Sequence, residues 1–269
     1  MIPAKFDYLA PTSVEEALQA LSQHGDDAKV IAGGQSLLPV LRMRLNAPEV
    51  VIDLAAVPGL QGIMEEGEHL VIGAMTTHHE VANDPLIAEH ALLLQKAARE
   101  VADAQIRHRG TLGGALAHAD PAGDLGAPIL ALGAEMVIGG PGGTRTVPAE
   151  EFFVDLFETA IGADEILLGV RIPKHTGWGA HYEKFVRVAH QWPIVAVAAT
   201  VRSDLSVMTF GRRSRGVSRV ADECTIARPS PAPSTSTPEK KSAPGSSRVG
   251  TVCTFSPTTN RRSSRRAPS

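Results

Sequence analysis

The chain has 269 residues, 43% of them hydrophobic and 20% charged, enough to bury a real core and to set an expectation of two domains. No apolar run approaches the roughly 18 residues that cross a bilayer, and the opening MIPAKFDYLAPTS lacks the basic-then-apolar order of a signal peptide, so a cytoplasmic protein without membrane insertion is expected. The net charge of −3 averages two unlike parts: residues 1–205 carry 14 Lys and Arg against 26 Asp and Glu, and residues 206–269 carry 12 against 3.

In chain order, Ser13 before Val14, Ala17, Leu18 and Leu21, with Gly25 beyond, predicts a capped helix. A strand over 28–32 runs into Gly33-Gly34-Gln35-Ser36. Residues 37–44 then have helical periodicity, with Pro39 tolerable only in the first turn, and 49–54 read as a second strand, so 28–54 predict a strand–helix–strand unit with a parallel pair. Further strands are predicted at 69–74, 135–138 and 145–147, and helices near 85–102 and 124–132. Gly139-Gly140-Pro141-Gly142-Gly143-Thr144 has no Lys before Thr and joins two strands, so it reads as a hairpin turn and not a phosphate loop. Residues 165–173, 182–188 and 194–201 are apolar elements, after which the pattern stops.

Leu205 is the last leucine, and 38 of the 64 residues after it are Ser, Thr, Pro or Arg, so 206–269 is expected to be a disordered or frame-shifted basic tail. A run such as Arg261-Arg262-Ser263-Ser264-Arg265-Arg266 is also compatible with a nucleic-acid arm, but the acidic body argues against that partner. Both cysteines, Cys224 and Cys253, lie in this tail, which leaves residues 1–205 without a disulfide, a thiolate zinc site or a cysteine-held iron–sulfur cluster. No metal site is predicted elsewhere, since adjacent His78 and His79 diverge and no H-E-x-x-H spacing occurs.

Two glycine clusters carry the chemistry: Ala32-Gly33-Gly34-Gln35-Ser36 after a strand, and Thr111-Leu112-Gly113-Gly114-Ala115 in a loop entered from Arg107-His108-Arg109. Paired glycines let main-chain N–H groups converge on a phosphate, and each pair is equally compatible with a plain tight turn. Without G-x-G-x-x-G, a Rossmann site is not indicated.

Together these clusters resemble the two flavin motifs of the FAD-binding medium subunit of molybdenum hydroxylases, of the carbon monoxide dehydrogenase and xanthine dehydrogenase type. Phe6-Asp7-Tyr8-Leu9, Gly73-Ala74-Met75-Thr76-Thr77-His78, Asp120-Pro121-Ala122-Gly123-Asp124-Leu125 and Lys184-Phe185-Val186-Arg187 support the resemblance over residues 1 to about 205. It implies an α+β, two-subdomain FAD-binding fold of the vanillyl-alcohol-oxidase type, with subdomains at 1–57 and 58–174. The start of a C-terminal domain at 175–205 would be truncated there. It also implies that residues 32–36 and 111–115 wrap the FAD pyrophosphate with main-chain N–H groups, with His118 nearby. Asp124 would bond a ribose or ribityl hydroxyl, Leu167 line the ring pocket, and Lys184 and Trp192 lie beside the isoalloxazine. On the residues alone Asp124 equally suits a helix cap, Lys184 an exposed strand lysine, and Leu167 and Trp192 core. No residue is assigned a catalytic role, because the flavin does the redox chemistry. The implied partners are a molybdopterin-containing large subunit and a [2Fe-2S] small subunit, in a heterotrimer that can dimerise. Electrons would pass from the iron–sulfur clusters through FAD to an external acceptor. The alternative is a truncated remnant that retains no FAD.

Overall fold

The computed structural model describes residues 2–188 and 191–204, together with the backbone of two further strands at 208–214 and 216–220. The first elements are β1 (Asp7–Leu9), α1 (Val14–His24), β2 (Ala28–Ile31), α2 (Leu37–Arg42) and β3 (Val50–Asp53). As the sequence predicts, Ser13 caps α1 by accepting from the Glu16 N–H and Gly25 ends it. The crossover through α2 lays β2 parallel to β3, and β1 joins the other side of β3, giving a parallel sheet in the order β1-β3-β2. Ala17, Leu21, Ile52 and Leu54 form its core.

The middle of the chain holds β4 (Ile63–Glu66), β5 (His69–Gly73), α3 (His78–Asn83), α4 (Pro85–His90), α5 (Leu92–Arg99), α6 (Ala104–Arg107), α7 (Leu112–His118) and α8 (Gly126–Ala131). After them come β6 (Glu135–Gly140), β7 (Gly143–Pro148), α9 (Ala149–Phe152), β8 (Phe153–Asp155), β9 (Glu158–Thr159) and β10 (Ile166–Pro173). An antiparallel sheet, β4-β5-β10-β6-β7, carries α3, α5, α7 and α8 over a core that includes Leu70, Ile72, Leu94, Leu112, Leu116, Ile129 and Val170. The β6–β7 hairpin turns at Pro141-Gly142, as predicted. The single helix expected near 85–102 is instead α4 and α5, broken at Ala91 (φ −140°, ψ 47°).

A third sheet comprises β11 (Gly179–Phe185), β12 (Val195–Val201), β13 (Met208–Ser214) and β14 (Gly216–Val220), all antiparallel. The fold therefore continues past residue 205, where the composition predicted disorder. An edge strand needs only main-chain hydrogen bonds to its neighbour, and no proline occurs between Pro193 and Pro229 to interrupt them. Cys224, Cys253 and the Arg261–Arg266 run lie outside the described residues. Among the described residues no helix is long and apolar enough to cross a membrane.

Candidate functional site

The C-terminal end of β2 and the N-terminal ends of α3 and α7 meet at a cleft of about 550 Å³, closed on its far side by β9, the 160–165 loop and the start of β10. Its first wall is the 32–36 loop. Gly34 has φ +72°, a left-handed conformation open to glycine and strained for other residues. Among the described residues the main-chain N–H groups of Gly33, Gly34, Gln35 and Ser36 take no hydrogen-bond partner, although the loop lines the cleft.

The second wall is built differently from the expectation. Thr111 caps α7, accepting from the Gly114 N–H at 3.2 Å, so Gly113 and Gly114 lie in a helix rather than a loop. Leu112 N–H donates to the Thr76 carbonyl at 2.9 Å, Gly113 N–H to that of Ala74 at 2.8 Å, and Ala115 N–H to that of Thr111 at 3.1 Å. The amides of 112–115 are thus already engaged, whereas those of 33–36 are free among the described residues. The glycines here serve packing within the protein. A Cβ on Gly113 would stand 2.7 Å from the Ala74 Cα, and one on Gly33 would overlap the Arg109 carbonyl and stand 2.7 Å from the Gly110 Cα.

Of the predicted site residues, the cleft gathers Ala32, Gly33, Gly34, Gln35, Ser36, Thr111, Gly113, Gly114, Ala115, His118 and Leu167. Leu112 lies fully buried in the core of α7. Asp124, Lys184 and Trp192 are not on the cleft wall. Asp124 accepts the Tyr182 hydroxyl at 2.9 Å and pairs with Lys184 Nζ at 3.1 Å, both side chains nearly buried, and Lys184 also donates to the Glu100 carbonyl. The cap reading of Asp124 fails as well, because α8 starts after Leu125 with no side-chain cap. Trp192 is 71% exposed and is not core.

Two wall residues, His78 and Glu165, were not among the cofactor contacts expected from the sequence. His78, the first residue of α3, is buried against Gly110, and desolvation together with the nearby Arg107 cation pushes its pKa down to about 4. The Thr77-x-x-Glu80 capping box that places it was readable in the sequence. Glu165 receives Arg145 in a bidentate pair, Nε and Nη2 each at 2.7 Å, and accepts the Gly162 N–H at 2.6 Å. These bonds hold its carboxyl at about pKa 2 and fix the rim loop that carries Ile161. No sequence signal marks that pair.

A cleft with four unengaged amides and a left-handed glycine fits an extended ligand carrying a phosphate anion. Residues 4–175 match the family described as the FAD binding domain in molybdopterin dehydrogenase. The carbon monoxide dehydrogenase medium chain of Hydrogenophaga pseudoflava is 43% identical over 205 residues, which is 75% of this chain and 71% of that one. The nicotine 6-hydroxylase medium subunit of Paenarthrobacter nicotinovorans is 44% identical over 195 residues, 72% of this chain and 68% of that one. Among solved structures, carbon monoxide dehydrogenase from Hydrogenophaga pseudoflava superposes with TM-score 0.79 at 40% identity, covering 81% of this chain and 78% of that one. Quinoline 2-oxidoreductase from Pseudomonas putida 86 gives 0.77 at 34% identity, with 81% and 77% covered. The α+β FAD-binding fold is shared with these enzymes, and the chain belongs to the FAD-binding medium subunits of molybdenum hydroxylases, an oxidoreductase flavoprotein family with FAD as its cofactor.

Proposed function

We propose that this chain holds FAD in the cleft between its first two sheets and relays electrons from iron–sulfur clusters of a small partner subunit to an external acceptor. The observation that supports this reading best is the row of four unpartnered amides at Gly33–Ser36 in the cleft wall. They would bind the FAD pyrophosphate, with 111–115 as the opposing wall and His118 beside it. Leu167 would line the ring end. Asp124 and Lys184 would reach the cofactor by exchanging their mutual ion pair for it, and Trp192 would do so by turning in from solvent. When bound, FAD supplies the electron-carrying chemistry, while the chain binds and orients it.

The partners would be a molybdopterin-containing large subunit and a [2Fe-2S] small subunit. Relatives of similar identity are named for carbon monoxide, nicotine and caffeine, so substrate choice falls to another chain of the complex. Fluorescence titration with FAD, ADP and riboflavin tests the site. Pyrophosphate capture by 33–36 predicts that ADP competes with FAD and that riboflavin binds much more weakly. Riboflavin binding as tightly as FAD would contradict it.

A further inference from the structure

His78 is only 4% exposed, and its Nδ1 is sealed from solvent without a partner among the described residues. Its placement is fixed from several sides. The capping box of Thr77 and Glu80 sets the first turn of α3, and the His78 N–H donates to the Gly110 carbonyl at 2.9 Å. The ring edge formed by Cδ2 and Nε2 rests on Gly110, where a Cβ would stand 2.9 and 3.0 Å from those atoms. Gly110 in turn backs Gly33, the first of the four free amides. Three layers, Gly33, Gly110 and His78, thus stack at one end of the cleft, and all three line it.

Burial and the Arg107 cation keep the imidazole neutral, so it carries one N–H. A sealed lone pair is tolerated better than a sealed N–H, which places the proton on Nε2. Among the described residues no group accepts from that donor. Buried polar side chains that lack protein partners are satisfied by a ligand or an ordered water.

We propose that His78 is a direct contact for the pyrophosphate–ribose portion of FAD, its neutral imidazole donating Nε2–H to an oxygen there. The inference rests on the FAD reading above and adds a residue to it. Loss of one such hydrogen bond corresponds to about a tenfold change in affinity.

The test compares the wild-type chain with His78→Phe and His78→Gln, using fluorescence titration with FAD, ADP and riboflavin and far-UV circular dichroism as the check on folding. The proposal expects His78→Phe to bind both FAD and ADP about tenfold more weakly, with riboflavin unchanged, and His78→Gln to recover part of the loss. Phe binding FAD as tightly as wild type, or weakening riboflavin equally, would overturn it. Should His78→Phe fail to fold, nitrogen-15 spectra of histidine-labelled wild type decide. A shift of the His78 ring nitrogens on adding ADP supports the contact, and no shift overturns it. Wild type taking up no FAD at all would instead defeat the functional reading itself.

Discussion

Gly33 and Gly34 stand side by side for different physical reasons, and substitution separates them. At Gly33 an added methyl meets main chain at Arg109 and Gly110, which cannot move aside as a flexible side chain would. Gly33→Ala should therefore cost about 1–3 kcal/mol of stability by overpacking. At Gly34 the cost is conformational, about 1–2 kcal/mol for holding φ +72° with a Cβ. Urea unfolding of both variants checks the pair, and neutrality at Gly33 would show that the two glycine segments do not touch. His78 adds a pH signature of folding. Its folded pKa of about 4 lies below the ordinary 6.5, so between these values the unfolded chain binds a proton that the folded chain refuses. Stability should fall as pH drops from 6.5 toward 4, by up to about 3 kcal/mol, and His78→Phe should lose that slope. Glu165 acts lower. Its carboxyl, depressed from 4.5 to about 2, contributes stability that is present above 4.5 and lost as pH falls toward 2. Arg145→Gln should remove most of this acid sensitivity, measured as the urea midpoint against pH, leaving the part due to the Gly162 N–H.

At the scale of elements, the third sheet is tied to the helices by the Tyr182–Asp124–Lys184 cluster, since β11 supplies the tyrosine and lysine and the α7–α8 segment the aspartate. Asp124→Ala strands a nearly buried Lys184 and should cost about 3 kcal/mol or more in urea unfolding. Replacing Lys184 by Met in the same chain should recover part of that loss, and strict additivity would rule out direct coupling. The same scale shows how much was legible in sequence. The cap at Ser13, the stop at Gly25 and the parallel crossover from β2 to β3 are local signals, and they appear in the structure as read. The second glycine segment was misread as a loop because glycine disfavours helices, whereas tertiary packing against Ala74 selects glycine inside α7. The break at Ala91, the Asp124–Lys184 pair and the strands beyond residue 205 depend on partners distant in sequence, which no local pattern announces.

At the scale of the whole molecule, the cleft is assembled from two sheets. A parallel sheet brings the free amides, an antiparallel sheet brings the wall of α7 and β10, and Ile166 packs into the core of the first sheet. Family membership rests on matches spanning both sheets, and the cofactor belongs to that family. The cleft's four unpartnered amides explain how this chain would hold it. The most direct measurement is the visible absorbance of the purified full-length chain after incubation with FAD and removal of the excess, with the released cofactor identified after denaturation. The account predicts a flavin spectrum and one FAD per chain. A folded, colourless protein that takes up no FAD would contradict it.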